Sequence, residues 1–332
     1  MTEHRSPPAR TVVLSTINGL RAALYKKGFD VSAMTWLDPG ALSASDEEVL
    51  AKCEVVIGEP GSFAPILDKC GSLKWFQSTW AGCNPLLDHA RRDYVATRLS
   101  GVFGADMGEY VAMHILTRER AYNAERQHQR SKEWIQEGLG VGDSGQIRRL
   151  SQLTLGVLGL GDIGSGIARV LKDGFHMRTL GCRARPCPSD VVEKVYGTTE
   201  LQAFLSECDY VVSVLPSQPA TRGLLGGETL KAMQAKQGVL INVGRGDVLP
   251  EADALNALDS GWIAHLVADV FETEPLPTSS PLWSHPKVTI SPHVSAVTQP
   301  GDVAIAFAAN ATLYEKGGVA ALQHIFDFER GY

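Results

Sequence analysis

Short apolar runs alternate with stretches in which apolar residues recur every three or four positions, and the alternation continues along nearly the whole chain. Continuous apolar runs suit strands buried on both faces, and the longer period suits amphipathic helices. The pattern predicts strands over 11–15, 31–36, 55–58, 73–77 and 95–98, with helices over 20–27 and 46–52, enough for one parallel α/β unit. Residues 105–127 read as one long helix with Met107, Tyr110, Val111, Ile115 and Leu116 on its apolar face. GLGVGDSG at 138–145 is the most loop-like stretch. Strands are then predicted over 153–158, 179–182, 211–215, 239–243, 266–270 and 288–290, followed by a helix over 303–315 apolar enough to pack back on the first unit.

The run 153–169, LTLGVLGLGDIGSGIAR, carries the first chemistry. An apolar strand leads into Gly159, Gly161 and Gly164 in G-x-G-x-x-G spacing, and Ile163, Ile167, Ala168, Val170 and Leu171 then recur at helical spacing. This is the context the dinucleotide fingerprint needs. Gly159 allows the tight turn, Gly161 lets a pyrophosphate approach the backbone, and Gly164 lets helix and strand pack closely. The N–H groups and positive end of the helix face the phosphates. The fold class is therefore α/β with two doubly wound parallel-sheet domains. A Rossmann dinucleotide-binding domain, 106–298, is inserted in a flavodoxin-like substrate domain made of 1–105 and 299–332, with the long helix as a bridge.

An acid that reads the adenosine ribose is expected about 20 residues past the fingerprint. The strand there ends Leu180-Gly181-Cys182-Arg183-Ala184-Arg185, with no acid. A carboxylate would repel a 2′-phosphate, whereas arginine binds one bidentately. The plainer reading is two solvated surface charges, but the missing acid favours NADP(H) as preferred cofactor, with NAD(H) as the alternative.

Three strand ends follow. INVGRGD places Arg245 between two glycines, which suggests a backbone held close to a ligand. ADVFETEPL ends a strand in the acids Asp269, Glu272 and Glu274. ISPHVS places His293 after a proline, a position that taken alone is more often structural. Together with GLGDIG, VLPSQPATRGLL at 214–225, DVFETEPLP and PLWSHP at 281–286, these segments resemble the D-isomer-specific 2-hydroxyacid dehydrogenase family, including its glyoxylate/hydroxypyruvate reductases, over essentially the whole chain.

The resemblance implies Arg245 as substrate-binding arginine, His293 as acid/base and Glu274, directly before Pro275, as the partner orienting the histidine, with Glu272 a rival by composition. It implies that Asp269 contacts the nicotinamide carboxamide. Cofactor contacts are further implied for Asp162, Ile163, Leu215, Pro216, Thr221, Val243, Gly244 and Ser295, beside Arg183 and Arg185. Trp80, Ala81 and Gly82 match the loop that binds a substrate carboxylate through backbone N–H groups, together with Arg245 and His293. Gly108 stands where the family usually has Ala, a departure that touches helix packing more than chemistry.

The implied reaction reduces a small 2-oxo acid to the D-2-hydroxy acid, with hydride from the nicotinamide and a proton from His293. A bulkier 2-oxo acid, with Trp80 and Met107 shaping the pocket, and a cofactor-sensing scaffold or corepressor are the rival readings. Formate-type relatives are disfavoured because the glutamate partner is present. The family also implies a homodimer through the nucleotide domain and the region near 106–150.

Composition trims the alternatives. The chain has 332 residues, 44% hydrophobic and 20% charged, and a net charge of −6, which argues against nucleic acid or anionic membrane as partner. Its six cysteines include no C-x-x-C and no histidines at zinc spacing, so reduced thiols and no metal are expected. MTEHRSPPAR has no apolar signal core and no run approaches a membrane span, which makes the cytoplasm the expected location.

Overall fold

A computed structural model describes residues 4–136, 138 and 147–331. Residues 139–145 of the expected loop lie outside the described residues. The chain divides into two compact units, 1–102 with 298–332, and 103–297.

The first unit is built on β1 (Thr11–Leu14), α1 (Leu20–Lys26), β2 (Thr35–Leu37), α2 (Ala44–Lys52), β3 (Val55–Gly58), α3 (Pro60–Phe63), β4 (Trp75–Ser78) and β5 (Val95–Thr97). Its five strands are all parallel in the order β2-β1-β3-β4-β5, the flavodoxin-like arrangement. The strand expected over 31–36 begins late. The Asp30 carboxylate accepts both the N–H and the hydroxyl of Ser32, at 3.0 and 2.6 Å, and this local turn holds Val31–Ala33 in a 3₁₀ helix. The helix Pro300–Gly317 belongs to this unit and buries Val303, Ala304, Phe307 and Ala311. Phe307 stacks on Trp75 at 5.2 Å. Burying one such ring is worth about 1.5–3 kcal/mol, which ties the returning helix to the sheet.

The second unit runs α4 (Phe103–Glu119), α5 (Tyr122–Ser131), β6 (Thr154–Leu158), α6 (Asp162–Phe175), β7 (Arg178–Cys182), β8 (Lys194–Tyr196), α7 (Leu201–Ser206), β9 (Tyr210–Ser213), β10 (Val239–Asn242), α8 (Glu251–Asp259), β11 (His265–Ala268) and β12 (Val288–Ile290). Its seven strands are parallel in the order β12-β11-β10-β9-β6-β7-β8. The chain leaves β6 towards one sheet edge and β9 towards the other, so the carboxyl ends of these two neighbours form the crevice where dinucleotides bind in such sheets. The edge strand β8 has no counterpart among the expected strands.

The single helix expected over 105–127 is two helices. Apolar periodicity stops at Leu116, and Glu119 is drawn inside, where its carboxylate accepts the Tyr210 hydroxyl at 2.5 Å and pairs with Arg148. Ala121 then takes a left-handed backbone, φ 49°, which interrupts the helix, and α5 follows with no buried residue.

Helices α4 and α6 cross at close range. A Cβ at Gly108 would lie 2.7 and 2.8 Å from Val170 Cγ2 and Cβ, so the glycine that departs from the family's usual alanine fits a branched partner. Gly108→Ala is expected to cost about 1–3 kcal/mol, read as a lower midpoint in urea unfolding, and adding Val170→Ala should recover only part of it, since alanine removes the Cγ2 contact but keeps the Cβ 2.8 Å away. An unchanged midpoint in the single variant would show that the two helices part freely.

Candidate active site

The glycine turn after β6 has three different glycines. Gly159 sits at φ +100°, and a Cβ there would press on Val214 O at 3.0 Å. Its N–H donates to Cys182 O at 2.9 Å, tying the turn to the end of β7. Gly164 is buried, and a Cβ would drive into Gly159 O and the Val157 side chain. At Gly161 a Cβ would meet nothing within 4 Å. This open position is the N-cap of a 14-residue helix, and the first turn of a helix turns its backbone N–H groups and positive dipole end towards the N-terminus. A cradle of this kind fits a dinucleotide pyrophosphate, and Gly161 through Gly164 would hold it.

Arg183 follows β7 directly, half-buried, with its N–H on Tyr196 O at 3.1 Å and Nη1 3.3 Å from Cys187 Sγ. Arg185 is exposed. After β9, Leu215 and Pro216 line the turn, and the buried Thr221 hydroxyl donates back to Pro216 O at 2.5 Å. Thr221 therefore shapes its own loop.

Three further side chains stand at the carboxyl ends of adjacent strands. Arg245 follows β10, extended at φ −137°, with Nη1 donating to Gly244 O at 2.7 Å. Its flanking glycines are required by the packing of the protein itself. A Cβ at Gly244 would sit 2.6 Å from both Leu215 N and O, and one at Gly246 would fall on the backbone of Phe271 and Glu272. Both glycines let neighbouring protein backbone close in.

Asp269 follows β11 and is fully buried. Its Oδ1 accepts the Ser291 hydroxyl at 2.5 Å and the Val294 N–H at 2.8 Å, and its Oδ2 accepts the N–H of buried Ser295 at 2.9 Å. Its carbonyl accepts the His293 N–H at 2.9 Å. His293 adopts φ 56°, the left-handed region that costs a non-glycine residue about 1–2 kcal/mol, and these four bonds hold the loop there. Sequence reasoning placed Asp269 and Ser295 as cofactor contacts. The structure shows both engaged in anchoring the His293 loop, with one Oδ2 lone pair left for any other donor.

His293 Nδ1 lies 2.8 Å from Glu274 Oε2, and the other oxygen, Oε1, accepts the Phe271 N–H at 2.9 Å. Burial works to raise the Glu274 pKa. The bonds from His293 and Phe271, with the charges of His293 and Arg245, outweigh it and hold the carboxyl below its usual range. An ionised carboxylate only accepts, so Nδ1 carries the hydrogen and Nε2 is the free face of the ring. The rival Glu272 is turned elsewhere: its Oε2 accepts the Glu251 N–H at 2.9 Å and caps the start of α8.

In the first unit, Trp80 follows β4 with a 41% exposed indole. The Trp80 backbone N–H already donates to Ser78 Oγ at 2.9 Å, so of the three expected amides those of Ala81 and Gly82 remain without an acceptor among the described residues. Two residues of the site were missed from sequence. Ser291 stood inside the matched SPH segment with no separate signal, and Tyr110 read only as part of an apolar helix face, yet its hydroxyl lies 2.6 Å from Ser291 Oγ.

No group of three metal-ligating side chains occurs among the described residues, whose cysteines are all free thiols, five of them buried. None of their helices is long and apolar enough to cross a membrane.

Residues 112–295 match the family model for the NAD-binding domain of D-isomer specific 2-hydroxyacid dehydrogenases. A family member from Aeromonas salmonicida is 34% identical, with 98% of this chain and 99% of that one covered and a TM-score of 0.84. An NADPH-dependent glyoxylate/hydroxypyruvate reductase from Sinorhizobium meliloti, solved with NADP and sulfate, is 26% identical over 99% and 100%, with a TM-score of 0.81. A member from Xanthobacter autotrophicus, solved with NADPH, is 29% identical over 97% and 99%, with a TM-score of 0.79. A dinucleotide-binding oxidoreductase is thus the class that fold and glycine turn define, and the chain belongs to the D-isomer specific 2-hydroxyacid dehydrogenase family. Its activity is NAD(P)-dependent and directed at small 2-hydroxy and 2-oxo acids.

Proposed function

We propose that the protein reduces a 2-oxo acid of glyoxylate or hydroxypyruvate type to the D-2-hydroxy acid, with NADPH preferred over NADH. The observation that carries this reading is the 2.8 Å pair of His293 and Glu274, with Arg245 near enough for its charge to act on the glutamate. When bound, NADPH supplies the hydride. Glu274 holds Nδ1–H, so the imidazolium delivers its other proton, from Nε2, to the carbonyl oxygen as that oxygen becomes an alkoxide. Arg245 binds the substrate carboxylate and carbonyl oxygen, fixes the carbon in place and stabilises the developing charge. Trp80, Ala81 and Gly82, in the first unit, serve as the substrate loop.

Arg183 supports the cofactor preference, since it stands at the end of β7 where an NADH enzyme keeps an acid. The reductase from Sinorhizobium meliloti is NADPH-dependent and of the same substrate type. Arg183→Ala should lower the NADPH-over-NADH ratio of kcat/KM by about 10–100-fold, the worth of a charge-assisted bond. A ratio unchanged in this variant would leave Arg183 a surface charge.

A homodimer is part of the same reading. Met113, Tyr122, Trp134, Ile135 and Ile147 are exposed apolar side chains within the region expected to join two copies. Cytoplasmic location is also proposed, supported by the uniformly free cysteines.

The test follows NADPH and NADH absorbance with glyoxylate, hydroxypyruvate, pyruvate and phenylpyruvate in parallel. The highest kcat/KM is expected for NADPH with glyoxylate or hydroxypyruvate. Phenylpyruvate as the best substrate would favour the bulkier 2-oxo acid, which the exposed Trp80 indole could accommodate as a shelf. No oxidation with any of the four would sink the proposal.

A further inference from the structure

We infer that Tyr110 and Ser291 are positioning residues for His293, acting through the buried carboxylate of Asp269. The inference rests on His293 being the proton donor. The direction of the relay follows from donor and acceptor chemistry. The Asp269 carboxylate only accepts, so the Ser291 hydroxyl hydrogen, 2.5 Å away, points at Oδ1. With its hydrogen committed, Ser291 Oγ can only accept from Tyr110, so the Tyr110 O–H is the donor across their 2.6 Å contact. Burial, with the Asp269 charge adding to it, pushes the Tyr110 pKa up to about 12, which keeps that hydrogen in place. The Tyr110 ring in turn rests edge-on against His114 at 4.5 Å, one turn further along α4.

The relay ends where the histidine loop is held. Oδ1 of Asp269 takes both the Ser291 hydroxyl and the Val294 N–H, Oδ2 takes the Ser295 N–H, and the Asp269 carbonyl takes the His293 N–H. A fully buried carboxylate keeps its place only while its lone pairs are met. If the Ser291 donor is lost, Asp269 must turn or recruit water, and the amides of Val294 and Ser295, which follow the left-handed His293, move with it. The ring then leaves its line with Glu274. A helix that sequence reads as merely amphipathic thus reaches the reacting histidine through three side chains.

The experiment compares Ser291→Ala, Ser291→Thr and Tyr110→Phe with the wild type and with His293→Ala. It measures kcat and KM with NADPH and glyoxylate or hydroxypyruvate, and NADPH Kd by fluorescence. Ser291→Ala is expected to lower kcat about 10-fold or more, as misplaced reacting groups do, with NADPH Kd changed less than twofold. Tyr110→Phe should lower kcat about 3-fold, a smaller loss in proportion to its distance along the relay. Ser291→Thr, which keeps the hydroxyl, should recover most of kcat. The inference is overturned if Ser291→Ala keeps kcat within twofold, if its loss falls equally on NADPH Kd, or if threonine gives no rescue. Should Ser291→Ala not fold, Tyr110→Phe decides, since it removes a single oxygen, and an unchanged kcat there overturns the relay. His293→Ala separates the two levels. Full turnover in it would overturn the reading on which the relay rests, whereas turnover lost in it but kept in Ser291→Ala would overturn the relay alone.

Discussion

His293→Ala is expected to lower kcat by about 10²–10⁴-fold, the usual worth of a positioned general acid, while NADPH binding stays close to wild type. The separation follows from placement. The proposed cofactor cradle is the turn after β6 with Arg183 after β7, whereas His293 follows β12 at the far edge of the same sheet. Glu274→Gln should give a smaller loss of about 10-fold. The amide can still meet Nδ1, but it lacks the charge that favours the imidazolium and need not present its oxygen to the ring. Steady-state rates together with NADPH fluorescence titration check both variants. Retained turnover in His293→Ala would remove the histidine from the mechanism, and an equal loss of NADPH affinity would recast it as part of the cofactor site.

Arg245→Gln is expected to lower kcat/KM for the 2-oxo acid by about 10²–10³-fold, with KM rising and NADPH Kd little changed. A glutamine is shorter and carries no charge, so its neutral amide cannot meet a carboxylate and a developing alkoxide together. Arg245→Lys should recover only part of the loss, because an ammonium lacks the planar fork that binds two oxygens at once. The comparison is sharpened by a substrate analogue without the carboxylate. If glyoxylate and a simple aldehyde suffer equally in Arg245→Gln, the guanidinium does not bind the carboxylate.

Much of the frame was legible in the chain because buried parallel strands leave an unmistakable trace. The runs 55–58 and 288–290 are strands over those same residues, and every strand but β8 has a counterpart among the expected runs. Errors cluster where a side chain redirects the backbone. Asp30 turns the chain at Ser32 and delays β2, and Glu119, drawn inward by Tyr210 and Arg148, ends a helix that periodicity would continue. Neither event has a period to detect, since each depends on partners far away in the sequence or on one local hydrogen bond. The glycines around Arg245 taught a related lesson. Glycine marks a close approach, but only the folded chain says by what, and here it is the backbone at Leu215 and at Phe271.

Sequence by itself determined the parallel α/β architecture, the glycine turn with its following helix, the absence of an acid after β7, and the three motifs bearing Arg245, Glu274 and His293. These are local properties: strand burial, turn geometry and residue type are written in neighbouring positions. Tertiary structure decided which of two glutamates meets the histidine, with Glu274 on Nδ1 and Glu272 capping α8. It also decided that Asp269 anchors a left-handed His293 and that Tyr110 and Ser291 stand behind it. The reason is distance along the chain. Tyr110 and Ser291 lie 181 residues apart, and hydrogen bonds across such a span leave no mark on composition or period, only on the packed fold.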